Sequence, residues 1–147
     1  MQSLRQTFIS LIKASCMTIC LLVSMSVTTY ASDIIIVTNK SSELKQLSRN
    51  EIRQIFLGGT LSRKYEPISL ATDNKTRTLF NTKVLGLTEG RVRAYWAQLL
   101  FTGRSQPPKA FDSTSAAVDY LLANSNVVGY LPADYAIPNG LVVVYEK

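Results

Sequence analysis

A polar turn between an apolar stretch and a helical pattern contains the residue types that bind anions. The turn consists of Thr72, Asp73, Asn74 and Lys75. The apolar residues 68–71 before it predict the end of a strand, and a helical pattern begins at Thr76 and includes Arg77. At such junctions free backbone N–H groups and the positive end of the helix dipole converge, which favours a bound anion. A loop that wraps closely around phosphate normally contains glycine, however, and this turn has Asn74 and Lys75 instead.

The remaining side chains offer little other chemistry. The chain contains no histidine, and its two cysteines, Cys16 and Cys20, lie near the N-terminus. The usual general base, thiol nucleophile and soft-metal ligands are therefore missing. Carboxylates occur singly, and a match to the S-x-x-K pattern at Ser42 and Lys45 lacks the companion motifs of serine acyl enzymes. The sequence predicts a protein that is not an enzyme and that uses no metal or cofactor.

The N-terminal segment has the pattern of a signal peptide. Arg5 and Lys13 supply positive charge, residues 14–27 are apolar, and residues 29–31 place small side chains where a signal peptidase reads them. The apolar run is shorter than the ~20 residues of a membrane-spanning helix. We expect residues 1–31 to be cleaved after export, with no membrane span in the mature chain; a retained anchor is the alternative.

The mature chain has the size of one ordinary domain, because 147 residues less 31 leave 116. Without cysteine it is typical of a bacterial periplasm rather than of small disulfide-rich secreted proteins. The leader holds two of the 16 basic residues and none of the 10 acidic ones, which leaves a net charge of +4. This charge favours small anions or acidic partners, and it is too modest and too evenly spread to indicate nucleic acid.

Apolar runs and capping residues predict alternating strands and helices. The predicted strands cover residues 33–38, 66–72, 126–131 and 141–146. Helices are predicted after Ser48 (with Glu51 at capping-box spacing), from Thr76, after Thr88, and after Ser113 or Thr114; glycines at 58–59, 86 and 103 end the first three. This alternation implies an α/β fold, a three-layer sandwich with a mixed, mostly parallel sheet. Residues 32–147 are predicted to form this single domain.

Further predictions concern the third helix and the loop after it. The inward face of this helix is predicted to contain Val92, Tyr95, Trp96, Leu99 and Leu100. Residues 104–112 are predicted to form a loop that Pro107 and Pro108 keep extended. In this loop Arg104 is a candidate to contact an anion or a partner. Ser113 opens the fourth helix, either as a cap alone or as a further contact to an anion.

The order of these segments resembles that of the phosphate-binding proteins of bacterial ABC transporters. The segment LSRNEIRQIFLGG (47–59) is similar to their "ls-x-x-el-x-x-If-l-G" helix. Residues 73–77 and Phe80 occupy the block that is "GSGT-R/S-x-x-F" in that family. The segments YWAQLLFTGRSQPP (95–108) and AAVDYLLANSNVVGYL (116–131) resemble its later blocks. The similarity extends over nearly the whole mature chain.

This resemblance implies the fold of a type II periplasmic binding protein and a periplasmic, non-enzymatic role. The implied ligand is inorganic phosphate or a similar small oxyanion. Proteins of the family are two-lobed and close on the ligand from both sides, whereas 116 residues supply about one lobe, since a lobe has ~100–150 residues. The other half of the ligand shell would then come from a partner, from a second copy or from water.

The family's GSGT turn is DNKT in this sequence. Thr76 keeps the hydroxyl, Asn74 replaces the serine, and Lys75 replaces a glycine whose backbone lies against the anion in the family. The family's arginine falls on Leu70, so that Lys75 or Arg77 would replace a two-pronged contact with a point charge. The implied ligand-binding set is Thr72, Asp73, Asn74, Lys75, Thr76, Arg77, Arg104 and Ser113.

Two functions remain open from the sequence. In the first, the turn is an oxyanion site that is weak or that a partner completes. In the second, the turn is a solvated loop on a binding-protein fold that has lost its ligand, and the domain is an interaction module for a membrane receptor or an envelope complex. An exposed apolar or aromatic patch over the former cleft face would favour the second function.

Overall fold

A computed structural model describes residues 33–147, which belong to one unit of the chain. Its strands are β1 (Ile34–Asn39), β2 (Glu66–Leu70), β3 (Lys109–Phe111), β4 (Val127–Pro132) and β5 (Leu141–Glu146). Its helices are α1 (Arg49–Phe56), α2 (Lys75–Leu79, continued by the π-helical segment Phe80–Leu85), α3 (Glu89–Phe101) and α4 (Thr114–Ala123). None of the helices in this part of the chain is long and apolar enough to cross a membrane. The expected signal peptide, residues 1–31, lies outside the described residues.

The five strands form one mixed sheet in the order β3-β2-β4-β1-β5. β2 is parallel to both β3 and β4, whereas β1 is antiparallel to both β4 and β5. Four strands therefore run in one direction and β1 alone runs in the other. This arrangement confirms the predicted α/β fold with a mixed, mostly parallel sheet.

Helices cover both faces of the sheet, which gives the predicted three layers. Successive residues of a strand point to opposite faces, and two neighbours in β4 show which helices lie where. Gly129 faces α4, because a Cβ atom at Gly129 would lie 3.0 Å from Cδ1 of Leu121. The ring of Tyr130 points to the other face and stacks on Phe80 with ring centroids 4.0 Å apart. A side chain at position 129 would have to displace Leu121 of α4 and Ile68 of β2 by a few tenths of an ångström.

The core surrounds β1 and lies on both faces of the sheet, under α4 on one face and under α1 and α2 on the other. Ile34, Ile35, Ile36 and Val37 are at most 3% exposed, as expected for a strand whose two faces are both covered. Phe56 of α1 is also buried and lies against the stacked ring pair on that face. Each such side chain contributes about 1.5–3 kcal/mol relative to full exposure.

Local capping signals fix the ends of α1 and α2. The Ser48 hydroxyl accepts a hydrogen bond from the N–H of Glu51 at 3.3 Å, and Glu51 Oε2 accepts one from the N–H of Ser48 at 2.8 Å, which confirms the capping box. The hydrogen bonds from Ser48 lower the pKa of Glu51. The contribution of the box is thus present above the usual glutamate pKa and is lost as the pH falls through the lowered value. Gly86, with φ of 70°, ends the π-helical segment as predicted.

Two predicted boundaries differ from the structure around the turn. β2 ends at Leu70, and α2 begins at Lys75 with Asn74 as its cap, so that the helix starts one residue earlier than predicted. The loop predicted for residues 104–112 contains β3, a strand of three residues. Its pairing with β2 arises because the preceding proline pair keeps the chain extended beside the sheet.

The prediction for the inward face of α3 was only partly right. Val92 and Trp96 are buried, and Tyr95 and Leu99 are half-buried. Leu100, however, is 51% exposed, and its neighbour Phe101 is 94% exposed. Helical periodicity identifies the residues that share a face, but it does not show where the helix extends past the elements that cover that face.

Tyr130→Phe tests the hydrogen bond that joins β4 to β2. The Tyr130 hydroxyl accepts from the buried N–H of Leu70 at 3.0 Å, and phenylalanine would leave that donor without an acceptor. We expect the free energy of unfolding, measured in urea, to fall by about 1–3 kcal/mol. Tyr145→Phe is the matched control, because the Tyr145 hydroxyl forms no hydrogen bond among the described residues. An equal loss of stability in both variants would contradict the role of the bond between Tyr130 and Leu70.

Candidate functional site

The turn at residues 72–75 lies at the carboxyl end of β2, next to the end of β3. The N–H of Asn74 donates to the carbonyl of Ala71 at 3.0 Å, and the N–H of Ala71 donates to the carbonyl of Phe111 at 2.9 Å. The second bond places the segment that leads to Ser113 beside the turn. After β2 the chain continues to β3 on one side, and after β4 it continues to β5 on the other. In open α/β sheets, ligands bind at the carboxyl ends of strands where connections diverge in this way.

Asn74 uses part of the anion-binding capacity of the turn. Its Oδ1 atom accepts a hydrogen bond from the N–H of Thr76 at 2.9 Å and caps α2. One N–H group that would otherwise face an anion is therefore occupied by an oxygen of the chain itself. Thr72, Asp73 and Lys75 are exposed, and Thr76 is half-buried. The Lys75 ammonium group and the hydroxyls of Thr72 and Thr76 form no hydrogen bond within the described residues and remain as donors.

Arg77 is held within the domain by four hydrogen bonds. Its Nε and Nη2 atoms donate to Oε2 and Oε1 of Glu89 at 3.0 and 2.8 Å, in a two-pronged ion pair. Its Nη1 atom donates to the Ser69 hydroxyl at 3.1 Å and to the Leu70 carbonyl at 2.9 Å. The side chains of Arg77 and Glu89 are only 13% and 22% exposed. Arg77 thus joins the start of α3 to the end of β2.

A polar network extends this ion pair into the core. The Asn81 amide donates to Oε2 of Glu89 at 2.6 Å, and the Ser69 hydroxyl lies 2.9 Å from the hydroxyl of Tyr130. Burial raises the pKa of Tyr130, while its hydrogen bonds with Leu70 and Ser69 act in the opposite direction. The phenol is therefore kept neutral beneath the ion pair, where it serves as a hydrogen-bonding group.

Ser113 caps α4. Its hydroxyl oxygen accepts a hydrogen bond from the N–H of Ala116 at 3.1 Å, which is the structural role weighed for it from the sequence. Because β2 and β3 are paired neighbours, the structure brings Ser113 and residues 72–77 to the same edge of the sheet.

Arg104 lies away from this edge. It is exposed, and its neighbour Ser105 lines an open groove of about 430 Å³. Glu66 and Lys109, the first residues of β2 and β3, line the same groove, which places it at the amino ends of these strands. Arg104 and residues 72–77 therefore lie at opposite ends of the strands, and the structure does not bring them together.

The side chains of this site offer mainly hydrogen-bond donors. Within residues 33–147 there is no group of three or more histidine, cysteine, aspartate or glutamate residues that could hold a metal ion. The network around Arg77 contains a single carboxylate, Glu89, and that carboxylate is paired with the arginine. Hydroxyl, amide, ammonium and guanidinium donors of this kind bind or position anions.

Sequence reasoning missed the partners of Arg77. The sequence patterns assign no role to Glu89, Asn81, Ser69 or Tyr130. Arg77 and Glu89 are 12 residues apart on different helices, and no periodic pattern connects them. The available signal is an arginine in the first turn of one helix and an acid in the first turn of the next.

The chain resembles known proteins in its structure. No protein-family model and no curated protein matches the sequence. The chain is similar to the solved structure of an ABC-type phosphate transport receptor from Vibrio cholerae, with 14% identity, a TM-score of 0.58, and coverage of 77% of this chain and 46% of that one. It is also similar to a proposed phosphate ABC transporter substrate-binding protein from Clostridium perfringens with bound phosphate, with 19% identity, a TM-score of 0.56, and coverage of 77% and 45%.

A third similar structure, a proposed phosphate-binding protein from Planctomyces limnophilus, has 13% identity, a TM-score of 0.53, and coverage of 77% of this chain and 41% of that one. At these identities the likeness establishes the fold. The resemblance found from the sequence motifs is confirmed at that level, and the chain is an α/β domain with the fold of part of these three structures. The chain spans less than half the length of each of the three structures.

Arg77→Met tests how much the ion pair between Arg77 and Glu89 contributes to the stability of the domain. The change leaves the half-buried carboxylate of Glu89 without its main partner, and we expect a loss of about 2–3 kcal/mol in the free energy of unfolding, below the ~3–5 kcal/mol of a fully buried pair. Lys64→Met is the control, because the pair between Lys64 and Glu43 is well exposed and should contribute little. Equal losses in urea titrations of both variants would show that Arg77 does not hold the site together.

Proposed function

We propose that the mature domain binds phosphate or a similar small oxyanion at residues 72–77, outside the cytoplasm and without catalysis. The observation that carries this proposal is the position of the turn at the carboxyl end of β2, where the strand connections diverge. The groups available there, the Lys75 ammonium and the hydroxyls of Thr72 and Thr76, are donors suited to an oxyanion. The shared fold with three proteins described as phosphate receptors or phosphate-binding proteins supports the same ligand class.

The affinity of the isolated turn should be low. A charge near a helix end contributes ~0.3–1 kcal/mol, and a hydrogen bond to a charged group ~1.5–3 kcal/mol. A few such contacts correspond to millimolar or high-micromolar binding. Arg77 adds little to this sum, because Glu89 already occupies its two-pronged side.

The proposed site is half of a complete one. The chain spans 46% or less of the similar structures, so that a second surface would have to cover the turn. A second copy of the chain, a membrane receptor or a protein of the cell envelope would each supply that surface. Enclosure would exclude water and so strengthen every charged contact to the anion.

Phosphate-dependent stabilisation of the mature domain tests the oxyanion site. Ligand binding to the native state adds RT ln(1 + [L]/Kd), so a millimolar site should raise stability by about 1–2 kcal/mol at tens of millimolar phosphate. Lys75→Glu should abolish this gain and leave the fold intact, since Lys75 is exposed. Thermal unfolding and calorimetry at matched ionic strength in chloride provide the measurement.

Lys45→Glu is the matched control for that experiment. Lys45 is also exposed but lies in the segment before α1, and the variant carries the same change in charge. It should respond to phosphate as the unaltered domain does. An unaltered domain that phosphate does not stabilise, or a Lys75→Glu variant that phosphate still stabilises, would rule out this site.

A second candidate function is supported by the exposed end of α3. Leu100 and Phe101 form an apolar patch there. The exposed Arg104 follows the patch by three residues and forms no ion pair within residues 33–147. Apolar side chains with a free cation nearby suit a partner that offers an apolar pocket with an acidic group beside it.

This patch is not over the former cleft face. α3 starts at Glu89, beside Arg77, and its 13 residues extend about 20 Å from there. Phe101 therefore lies at the end of α3 that is distant from the turn. A partner bound at this patch and an anion bound at residues 72–77 would not compete for the same side chains.

Photocrosslinking from position 101 tests the interaction function. A benzoylphenylalanine residue in place of Phe101 should give one discrete crosslinked species in cells that express the full chain, and the same residue in place of Lys45 should not. Leu100→Ser with Phe101→Ser should abolish assembly with the captured protein and leave the melting temperature unchanged, because both side chains are exposed. Identical crosslinking from positions 101 and 45 would contradict a specific docking surface.

A further inference from the structure

We propose that Arg77 and Asn81 form an oxyanion site that the domain's own Glu89 carboxylate fills, so that Glu89 limits the affinity of the neighbouring turn for external anions. This inference rests on the proposed oxyanion function of residues 72–77. Glu89 is then a specificity-determining residue, because its carboxylate occupies the donors of Arg77 and Asn81 that an external anion would otherwise use.

Glu89 is held in the way that a bound anion is held. Oε1 accepts from Nη2 of Arg77 at 2.8 Å, and Oε2 accepts from Nε of Arg77 at 3.0 Å and from Nδ2 of Asn81 at 2.6 Å. A fork of two guanidinium donors with an added amide is a common arrangement for binding carboxylate or phosphate. All three donors come from α2 and its π-helical continuation, whereas the acceptor comes from the first residue of α3.

The filled site adjoins the proposed turn. The same guanidinium group donates to the carbonyl of Leu70, the last residue of β2, at 2.9 Å. Asn74, which caps α2, is three residues before Arg77 in the chain. The negative charge of Glu89 is therefore close enough to oppose an anion that approaches residues 72–77.

The space at the ion pair is too small for a ligand while Glu89 is in place. A cavity of about 30 Å³ borders Arg77, Asn81 and Ser69, which is room for one or two water molecules. An oxyanion would reach the guanidinium fork only if the carboxylate left it. Because Glu89 is the first residue of α3, displacement of its carboxylate would involve the start of that helix.

A purely structural ion pair would behave differently. In that case Glu89→Gln would change stability and leave anion affinity as it was. If the carboxylate competes with external anions, the same variant should bind phosphate and sulfate more tightly, by roughly fivefold or more, because a like charge has been removed from the neighbourhood of the ligand.

Isothermal titration of phosphate and of sulfate into the mature domain and its Glu89→Gln variant separates these cases. Glu146→Gln is the control for net charge, since Glu146 is an exposed residue of β5. The double variant Arg77→Gln with Glu89→Gln should lose the gain, because the vacated fork is then absent. Glu146→Gln should bind both anions as the unaltered domain does.

The outcomes distinguish this inference from the proposed function. If Glu89→Gln binds more tightly and the double variant loses this gain, the inference is supported, whether or not the unaltered domain binds. If in that case the unaltered domain does not bind at all, the result counts against the proposed function alone. Weak binding by the unaltered domain with no gain in Glu89→Gln overturns the inference and leaves the function standing. Absence of binding in both, or an equal gain in Glu146→Gln, also overturns the inference.

A second variant covers the case in which Glu89→Gln fails to fold. Glu89→Ala removes the carboxylate and leaves space for a small anion beside Arg77 and Asn81. Formate or phosphate should restore its folding in a saturable way, whereas chloride at equal ionic strength should not. A Glu89→Ala variant whose folding no oxyanion restores would overturn the inference.

Discussion

A single guanidinium group, that of Arg77, connects the elements from which the candidate site is built. It donates to the Leu70 carbonyl at the end of β2, to the Ser69 hydroxyl, and to both carboxylate oxygens of Glu89 at the start of α3. A charge in such a half-buried place is tolerated only when its hydrogen-bonding groups are satisfied. The end of β2, the first turn of α2 and the first turn of α3 are consequently fixed relative to one another, and the turn at residues 72–75 lies between two of them.

The elements of the fold were predictable from the sequence wherever the signal is local. The capping box of Ser48 and Glu51, the left-handed glycine at position 86 and the apolar run of β1 each depend on a few neighbouring residues. β3 has no such signal, because a strand of three residues shows no periodicity and exists only through its pairing with β2. The exposure of Phe101 is also non-local, since it depends on where the covering elements stop and not on the helix itself.

The candidate site was predictable as a segment but not as a network. Strand and helix signals on either side located residues 72–77 at a junction that favours anions. The ion pair between Arg77 and Glu89 joins two helices and has no counterpart in the local pattern, so the sequence places Arg77 in the ligand-binding set and gives it no partner within the chain. Arg104 was included because it follows a glycine in a proline-rich loop, and the fold places that loop at the amino ends of the strands.

Two features that distinguish this turn from a glycine-rich one both reduce the number of donors that are open to an external anion. The side-chain oxygen of Asn74 satisfies the N–H of Thr76, and the carboxylate of Glu89 satisfies the guanidinium of Arg77. In both places an oxygen of the chain occupies a donor that an anion would otherwise occupy, which stabilises the domain without ligand. An external oxyanion then gains only the difference between its own contacts and those it displaces, and in an open site this difference is small.

Enclosure by a second surface changes the balance, because exclusion of water strengthens the remaining contacts of Lys75 and Thr76 with the anion. Binding of an anion at residues 72–77 and binding of a surface that covers them would therefore be coupled, each more favourable in the presence of the other, whereas a partner at the end of α3 would not have this effect.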